Sequence, residues 1–429
     1  MGVEKVVVSN GITVVVHSDR KFHSVSYAVC CAGGVCGESE ELIGVTHLVE
    51  HLLFKRTLQQ ASPEIARTID ELGGEINAFT DLDSMCIYGT VPASRALRLM
   101  DFVSELLVHT AFDSTDLNLE REVIRQEILE ASDNPLDMLY QALCSVLWRD
   151  SIFRHPVFGN LKSIERFTLE DAKARHSEIL RGKRIVIGAA GNISTAEVVR
   201  HVEQCFSSLP QGEPLVVTPP APGAGLVRVA RPIRQAHIAL AKPWPAYTSD
   251  EYPAALAIAL GLGDGMSSRL FRLLREEQAL TYDVGAHVDG FSSASALLIA
   301  ASVDPSKVPL ALELILGEVE DIVRNGFTEG ELERALAMLT AQVEMEQDSV
   351  GSLLWRAIES ELYYQRYVSP TETLARYEKL TTDRLKEVAK RYLVDTTGVI
   401  ALGGDVGDVD VKEFHRRWCG TSKLEETAV

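Results

Sequence analysis

Three side chains in one short segment have the types and spacing of a metal-dependent hydrolytic site. In GVTHLVEHLLFKRT, residues 44–57, His47 and His51 are four residues apart and Glu50 directly precedes the second histidine. Residues four apart on an α-helix share a face and lie about 6 Å apart along the axis, so both imidazoles can bind one ion. Glu50 points about 100° away from His51, which lets its carboxylate reach a bound water without being a ligand. The alternative interpretation is an amphipathic helix whose polar residues have no function.

A catalytic zinc ion takes three protein ligands and keeps one position for water. The candidates for the third ligand lie in LEREVIRQEILEA, residues 119–131, where Glu120 and Glu127 are seven apart and share a helical face. Either glutamate could bind the ion at this point, although glutamates on a solvated helix face are common and this pair alone is more typical of such a face. His109, His155, His201 and His237 are interpreted as isolated histidines without converging partners, and therefore as structural or exposed.

An internal repeat indicates that the fold does not require the acidic residues. The segment that starts at Val91 aligns with the one that starts at Val303, and apolar residues keep helical spacing through both. The positions of Glu120 and Glu127 are occupied by Ala335 and Gln342 in the second copy. The segment LGDGMSSRLF, which corresponds to the histidine-rich helix, contains no histidine. One copy therefore has candidate ligands that its duplicate lacks.

The predicted fold is two tandem homologous α+β domains. A segment rich in proline, glycine and alanine predicts a linker at 213–226, between an N-terminal domain at 1–212 and a C-terminal domain at 227–429. In the first domain, β-rich runs surround Asn10-Gly11, a hairpin signal, and helices alternate with further strands. The expected arrangement is an antiparallel-rich sheet with helices packed on one face.

Composition limits the possible partners. The chain has 429 residues and a formal charge of −19, which disfavours nucleic acid and anionic membranes and favours cationic peptides. No apolar run is long enough to cross a bilayer, and the N-terminus does not have the pattern of a signal peptide. Seven cysteines without a Cys-x-x-Cys pair predict free thiols and a cytoplasmic location.

The motifs HLVEH and EREVIRQE, taken together, resemble the inverzincin metallopeptidases, the family of pitrilysin, insulin-degrading enzyme and mitochondrial processing peptidase. The resemblance extends over nearly the whole chain. It implies Zn²⁺ as the cofactor, His47, His51 and Glu127 as its ligands, Glu50 as the general base, and Glu120 as a supporting acid behind the ligands. In GGEINAFTDLDS it implies that Asn77, Ala78 and Phe79 contact an extended peptide by β-augmentation.

The second half also resembles this family, at GMSSRLFRLLREEQALTYDV. The resemblance implies that Arg275 and Tyr282, seven residues apart, complete the catalytic chamber. By themselves, the arginines of this segment are also typical of an ordinary basic helix face. The chain departs from the usual pattern at Arg56 and Ala279, where glycine is common, and at two acidic positions, Asp81 and Asp83, near the peptide-contacting strand.

The implied activity is that of a zinc-dependent endopeptidase in which Glu50 activates a zinc-bound water. Two domains are half of the clamshell chamber of longer relatives, which implies a homodimer or a heterodimer with a related subunit. The alternatives are a noncatalytic core, scaffold or peptide-binding subunit of the same fold, and a structural zinc site with a fourth protein ligand. The predicted substrate class is a peptide, and the net charge favours basic ones. The sequence does not predict which peptide is the natural substrate.

Overall fold

The computed structural model describes residues 2–394, 397–406, 409–420 and 426–428. The strands of the first half of the sequence are β1 (Glu4–Val7), β2 (Thr13–Ser18), β3 (Ser24–Ala32), β4 (Glu75–Thr80), β5 (Ser84–Pro92) and β6 (Ile185–Gly191). Its helices are α1 (Val45–Leu53), α2 (Ser62–Leu72), α3 (Ala96–Val108), α4 (Ser114–Asp133), α5 (Pro135–Leu147), α6 (Leu161–Arg166), α7 (Leu169–Ile179) and α8 (Thr195–Phe206).

The second half repeats this alternation of strands and helices. Its strands are β7 (Ala224–Val229), β8 (Ala236–Pro243), β9 (Thr281–Gly290), β10 (Ser295–Val303), β11 (Gly398–Gly403) and β12 (Glu426–Ala428). Its helices are α9 (Tyr252–Gly263), α10 (Val308–Asn325), α11 (Glu329–Met345), α12 (Val350–Tyr364), α13 (Pro370–Tyr377), α14 (Thr382–Leu393) and α15 (Lys412–Cys419), and Phe271–Glu277 is a π-helical segment. Within the described ranges, no helix is long and apolar enough to cross a membrane.

The chain forms two compact units, each built on a six-stranded sheet, and the predicted two-domain α+β class is confirmed. The first unit comprises residues 1–128, 156–217 and 344–369, and the second comprises 129–155, 218–343 and 370–429. Each unit therefore includes a segment from the other half of the sequence. The domain limits drawn from the linker stay a prediction.

In the first unit the strand order is β1-β2-β6-β3-β5-β4. The neighbours pair antiparallel except β2 and β6, which run parallel. Strand β3 is buried on both faces: Val25, Tyr27 and Val29 belong to the core shared with the helices, while Ala28 packs on the opposite side. Because successive strand residues face opposite sides, burial of both faces explains why β3 is almost entirely apolar.

A single helix covers that opposite side. Helix α12, from the second half of the sequence, packs with Leu354, Ala357 and Ile358 on the sheet residues Val15 and Ala28. In the second unit, whose strand order is β12-β7-β11-β8-β10-β9, α5 from the first half contacts β7, β8 and β11. The sequence predicts helices on one face of each sheet, and these two helices add a second layer on the other face.

Two cysteines differ from their prediction. Cys30 and Cys86 are register partners on β3 and β5, and they form a disulfide with a Cα–Cα distance of 4.2 Å. The prediction of free thiols is therefore wrong for this pair, because antiparallel pairing brings together residues that are 56 apart in sequence. The other five cysteines, Cys31, Cys36, Cys144, Cys205 and Cys419, are free thiols.

Candidate metal centre

Helix α1 has one apolar face and one polar face. Leu48, Val49 and Leu52 are buried in the core of the first unit. His47 and His51 retain only 16% and 15% of their side-chain exposure on the polar face. A helix with this division packs against the sheet and leaves its polar residues at the rim of the core. The helix predicted over 44–57 is thus observed, although it ends at Leu53.

The start of α1 is fixed by two charged residues, the half-buried Glu38 and the buried Arg175. Gly44, at a φ of 92°, turns the chain into the helix, and the Glu38 carboxylate accepts hydrogen bonds from the backbone N–H of Gly44 and Thr46 at 2.7 and 2.6 Å. Burial raises the pKa of Glu38, and these hydrogen bonds oppose that rise. Arg175 donates to the Thr46 hydroxyl at 2.8 Å and to carbonyls of the loop that precedes α1. These contacts set the position from which the histidines project.

Three donors converge where the sequence predicts the metal ligands. The Nε2 atom of His47 lies 3.7 Å from one carboxylate oxygen of Glu127 on α4, and Nε2 of His51 lies 3.6 Å from the other. The ligand atoms of the three residues all lie within 4.8 Å of one another. The two imidazole rings are edge to face with centroids 4.6 Å apart. The structure therefore gathers two nitrogens and a carboxylate from two helices.

The donor geometry fits a zinc ion. Bonds of about 2.0–2.2 Å at tetrahedral angles place neighbouring donor atoms roughly 3.3–3.6 Å apart, and these contacts are too long for hydrogen bonds. Burial, followed by the adjacent His51, lowers the pKa of His47 to about 3, so this imidazole is neutral near pH 7. A neutral imidazole is the form that binds a metal. In the part of the chain that the structure describes, the buried Nδ1 of His47 has no hydrogen-bond partner.

Glu120 lies behind the donors and orients one of them. Its side chain is 4% exposed and accepts hydrogen bonds from His51 Nδ1 at 2.9 Å and from Lys55 Nζ at 2.6 Å. Burial raises the pKa of Glu120, but the bonds from His51 and Lys55 outweigh burial and hold it below its usual value. Burial lowers the pKa of His51, but the Glu120 bond and the nearby carboxylates raise it overall. A proton held on Nδ1 by Glu120 leaves Nε2 of His51 facing the other donors.

Glu50 contacts the strand predicted to bind peptide. Its Oε2 accepts a hydrogen bond from the Thr80 hydroxyl on β4 at 2.6 Å. Burial raises the pKa of Glu50 above its usual value, and the Thr80 bond opposes this rise. A raised pKa suits a carboxylate that accepts and returns a proton near neutral pH. Thr80 is a positioning residue that sequence analysis missed, although it directly follows the predicted Asn77, Ala78 and Phe79.

Strand β4 lies at the end of its sheet. Within the described residues it pairs only with β5, so its second edge can take another strand. Asn77 is exposed, and its side-chain oxygen accepts a hydrogen bond from the Ala78 N–H. Phe79 packs against Tyr88 of β5 and Trp355 of α12, with ring centroids 6.0 and 5.5 Å away. The peptide-contacting role of these positions stays a prediction.

Arg275 and Tyr282 contact each other in the second unit. The Arg275 guanidinium lies 4.3 Å from the Tyr282 ring centroid and donates to the Tyr282 carbonyl at 3.0 Å. The guanidinium also lies 4.7 Å from the ring centroid of Phe271. The Tyr282 side chain remains largely exposed. Their contact with each other is a finding of the structure, and their role in completing a catalytic chamber stays a prediction.

The residues at which the chain departs from the usual pattern have local structural explanations. Arg56 donates to Asp116 at 2.9 Å near the start of α4. Asp81 accepts hydrogen bonds from the backbone N–H of Asp83 and Ser84 in the turn between β4 and β5, and burial raises its pKa to about 6. Ala279 has a φ of 48°, which explains why glycine is common at this position.

Two family models match consecutive parts of the chain. The insulinase model of peptidase family M16 matches residues 13–160, and the model of the M16 inactive domain matches residues 166–339. The first range contains all the candidate ligands and the second contains none of them.

Relatives with similar sequences span nearly the whole chain. An uncharacterized zinc protease from Mycobacterium tuberculosis is 30% identical over 401 residues, which are 92% of this chain and 91% of the relative. One from Streptomyces coelicolor is 29% identical over 410 residues, 94% and 89% of the two chains.

Two solved structures share the fold. One is the M16 inactive domain from Pseudomonas fluorescens, with a TM-score of 0.88, 20% identity and coverage of 94% of this chain and 98% of its own. The other is a protease from Helicobacter pylori, with a TM-score of 0.88, 21% identity and coverage of 94% and 99%.

Proposed function

Because the chain belongs to the M16, or insulinase, family of peptidases, we propose that it is a zinc-dependent endopeptidase. The observation that carries this proposal is the convergence of His47, His51 and Glu127, with the Glu50 carboxylate one helical position from His51. A fourth protein donor, which a structural zinc site would need, is absent from the donor group found among the described residues. The geometry therefore supports a site with one position open for reaction.

Bound zinc would polarise a scissile carbonyl and lower the pKa of a water molecule toward about 7. Glu50 would act as the general base and acid, accepting a proton from a water molecule and returning it to the leaving amine. The Thr80 hydroxyl fixes Oε2 of Glu50, so the carboxylate keeps its orientation as its charge changes. Glu120 keeps the His51 ring in place and, together with Lys55, supplies the charge balance behind it.

The substrate proposed is a peptide in extended conformation that pairs with the second edge of β4. Backbone hydrogen bonds to an edge strand bind a peptide without selecting its sequence. Asn77, Ala78 and Phe79 are the positions at which its side chains would be read. The charge of −19 favours basic peptides through long-range attraction.

Arg275 and Tyr282 are proposed to stabilise the developing oxyanion or the peptide backbone. The proposal includes a dimer, either of two copies or with a related subunit, in which two such chains form a closed chamber. A cytoplasmic location is part of the same proposal.

The test is cleavage of a mixed peptide library by the purified chain. Glu50→Gln should abolish cleavage and retain stoichiometric zinc, because Glu50 is not a ligand. Glu122→Gln is the matched control, since this glutamate is on α4 with a side chain 67% exposed. Cleavage that survives both a chelator and Glu50→Gln would refute the mechanism.

The second candidate is a noncatalytic core or peptide-binding subunit. It is favoured by the match of the second half to a domain described as inactive. Stoichiometric zinc without cleavage of any peptide, both alone and mixed with a related subunit, would support this candidate over the first.

A further inference from the structure

A second group of potential ligands lies between α3 and α8 in the first unit. It consists of Asp101 on α3 and of His201 and Cys205 on α8, and we call it the Asp–His–Cys cluster. His201 and Cys205 are four residues apart on one helix, the same spacing as His47 and His51 on α1. Helix α8 packs near β2, whereas α1 packs near β4 at the other end of the sheet. The cluster is thus separate from the candidate metal centre.

All three ligand atoms of the cluster lie close together. His201 Nε2 is 3.0 Å from an Asp101 carboxylate oxygen and 3.5 Å from Cys205 Sγ, and all three atoms lie within 4.8 Å of one another. One imidazole nitrogen carries either a proton or a lone pair. If Nε2 carries a proton and donates it to Asp101, it cannot also accept a hydrogen bond from the Cys205 S–H. If Nε2 instead accepts that S–H, its lone pair also faces the Asp101 carboxylate, and the two repel each other. Hydrogen bonding therefore satisfies only one of the two contacts well.

One buried hydroxyl in the same core has no hydrogen-bond partner among the described residues. The hydroxyl of Tyr27 on β3 is fully buried and makes no hydrogen bond to any part of the chain that is described. Tyr27 belongs to the core to which α3 contributes Leu99 and Val103 and α8 contributes Val198 and Val202, so its hydroxyl is buried on the side of the sheet that these two helices cover. It also interacts electrostatically with Cys205 and Asp101. Buried hydroxyls without partners are rare and point to an absent ion or water.

The separations need little adjustment to accommodate an ion. Tetrahedral bonds of about 2.3 Å to sulfur and about 2.0–2.2 Å to nitrogen and oxygen place nitrogen roughly 3.6 Å from sulfur and roughly 3.4 Å from oxygen. The sulfur contact already has this length, and the carboxylate has to withdraw by only a few tenths of an ångström. The Asp101 side chain is 70% exposed, so it is able to move and leaves the ion a path from solvent.

We propose that Asp101, His201 and Cys205 form a second metal site for a borderline-soft divalent cation such as Zn²⁺. Thiolate and imidazole select such ions over Mg²⁺ and Ca²⁺. Binding forms a metal–sulfur bond while the Cys205 S–H releases its proton to solvent. The ion links α3 to α8, and the Tyr27 hydroxyl donates to one of its ligands or to its water. This inference does not depend on the proposed peptidase activity.

Co²⁺ is the probe that separates the two sites, because only the Asp–His–Cys cluster contains sulfur. The wild-type chain should bind two Co²⁺ ions and show thiolate-to-cobalt charge-transfer absorption in the near ultraviolet. Cys205→Ser should remove this absorption, whereas Cys36→Ser, which replaces another free cysteine of the same unit, should retain it. His51→Ala should still bind one Co²⁺ ion with the full thiolate absorption.

Asp101→Asn provides a test that does not disturb the core, since the side chain is mostly exposed. It should weaken cobalt binding at the cluster by at least about tenfold and leave the melting temperature of the metal-free protein unchanged. Absence of thiolate absorption in the wild-type protein would overturn the proposal, as would absorption that persists in Cys205→Ser. Unchanged affinity in Asp101→Asn would remove Asp101 from the site and refute the proposed three-ligand arrangement.

Discussion

Replacement of Glu120 by glutamine tests whether a buried carboxylate behind the ligands controls zinc affinity. The amide retains the shape of the side chain, so packing is preserved while the negative charge is lost. Two short hydrogen bonds depend on that charge, those from His51 at 2.9 Å and from Lys55 at 2.6 Å. Glutamine can still accept one of them, and its NH₂ group faces the other donor.

The expected result is a zinc dissociation constant that rises about 10- to 100-fold, which corresponds to about 1.4–2.7 kcal/mol. The reason is that an uncharged partner on Nδ1 makes His51 a weaker donor at Nε2. The Glu120 bond also raises the pKa of His51, so its loss lowers that pKa. Protons then compete less with zinc for His51. The acidic limb of the plot of zinc affinity against pH should therefore move to lower pH, although the affinity at high pH falls.

The assay is competition for zinc with a chromogenic chelator across a pH series. Glu122→Gln is the control, because Glu122 is on the same helix, is largely exposed and pairs with Arg125. It should leave both the affinity and the pH profile unchanged. Equal affinity of Glu120→Gln and wild type would show that the hydrogen bond to His51 does not tune the site, and the reasoning would fail.

Three further predictions concern the strand, the second helix layer and one strained residue. Thr80→Val should lower kcat about tenfold, because Glu50 loses a hydrogen bond to its charged group. That bond lowers the pKa of Glu50, so its loss should move the acidic limb of the pH profile of kcat/KM to higher pH. Thr80→Ser should restore both values, and an unshifted acidic limb in Thr80→Val would contradict the positioning role of Thr80. Gly188→Ala should cost about 1–3 kcal/mol of unfolding free energy, since its Cβ would lie 2.6 Å from Ile358 on α12, whereas Gly317→Ala, with nothing within 4 Å, should not destabilise. Ala279→Gly should raise the free energy of unfolding, measured by urea denaturation, by about 0.5–1 kcal/mol. Ala174→Gly, at an exposed position in the interior of α7, should lower it by about 1 kcal/mol. A lower free energy of unfolding in Ala279→Gly would show that the left-handed backbone at Ala279 is not strained.

The convergence of His47, His51 and Glu127 could be predicted because its signals are local. His47, Glu50 and His51 lie within five residues, and helical spacing alone determines which of them share a face. The paired glutamates on α4 follow the same rule, so only the pairing of two helices had to be inferred. The family resemblance then distinguished Glu127 from Glu120, which spacing left equivalent.

Features that depend on distant pairing were missed. Lys55 contacts Glu120, which is 65 residues away in the sequence, and Thr80 contacts Glu50, which is 30 residues away. No sequence pattern indicates either contact. The packing of α12 on the first sheet joins segments more than 150 residues apart, and apolar spacing on a helix does not name its partner. The interpretation of His201 as isolated overlooks Cys205, four residues later on the same helix, and Asp101, which is 100 residues away and could not be recognised as a neighbour from the sequence.

The duplication distinguishes residues that build the fold from residues that build the site. Near the start of α4, Arg56 pairs with Asp116, and near the start of α11, Arg269 pairs with Glu331, which occupies the equivalent position of the repeat. Both units thus retain an arginine–carboxylate pair that fixes the helix.

Four and eleven residues after this acid, the first unit has Glu120 and Glu127 and the second has Ala335 and Gln342. Ala335 is buried in the apolar core of its unit. An apolar residue is expected at this position in a helix that supplies no metal ligand. A buried carboxylate such as Glu120 costs free energy unless charged partners compensate for it, and its partners are His51 and Lys55. The second unit shows that the same helix forms without this carboxylate, so the fold does not require the cluster of charges in the first unit, whereas the proposed zinc site would account for it.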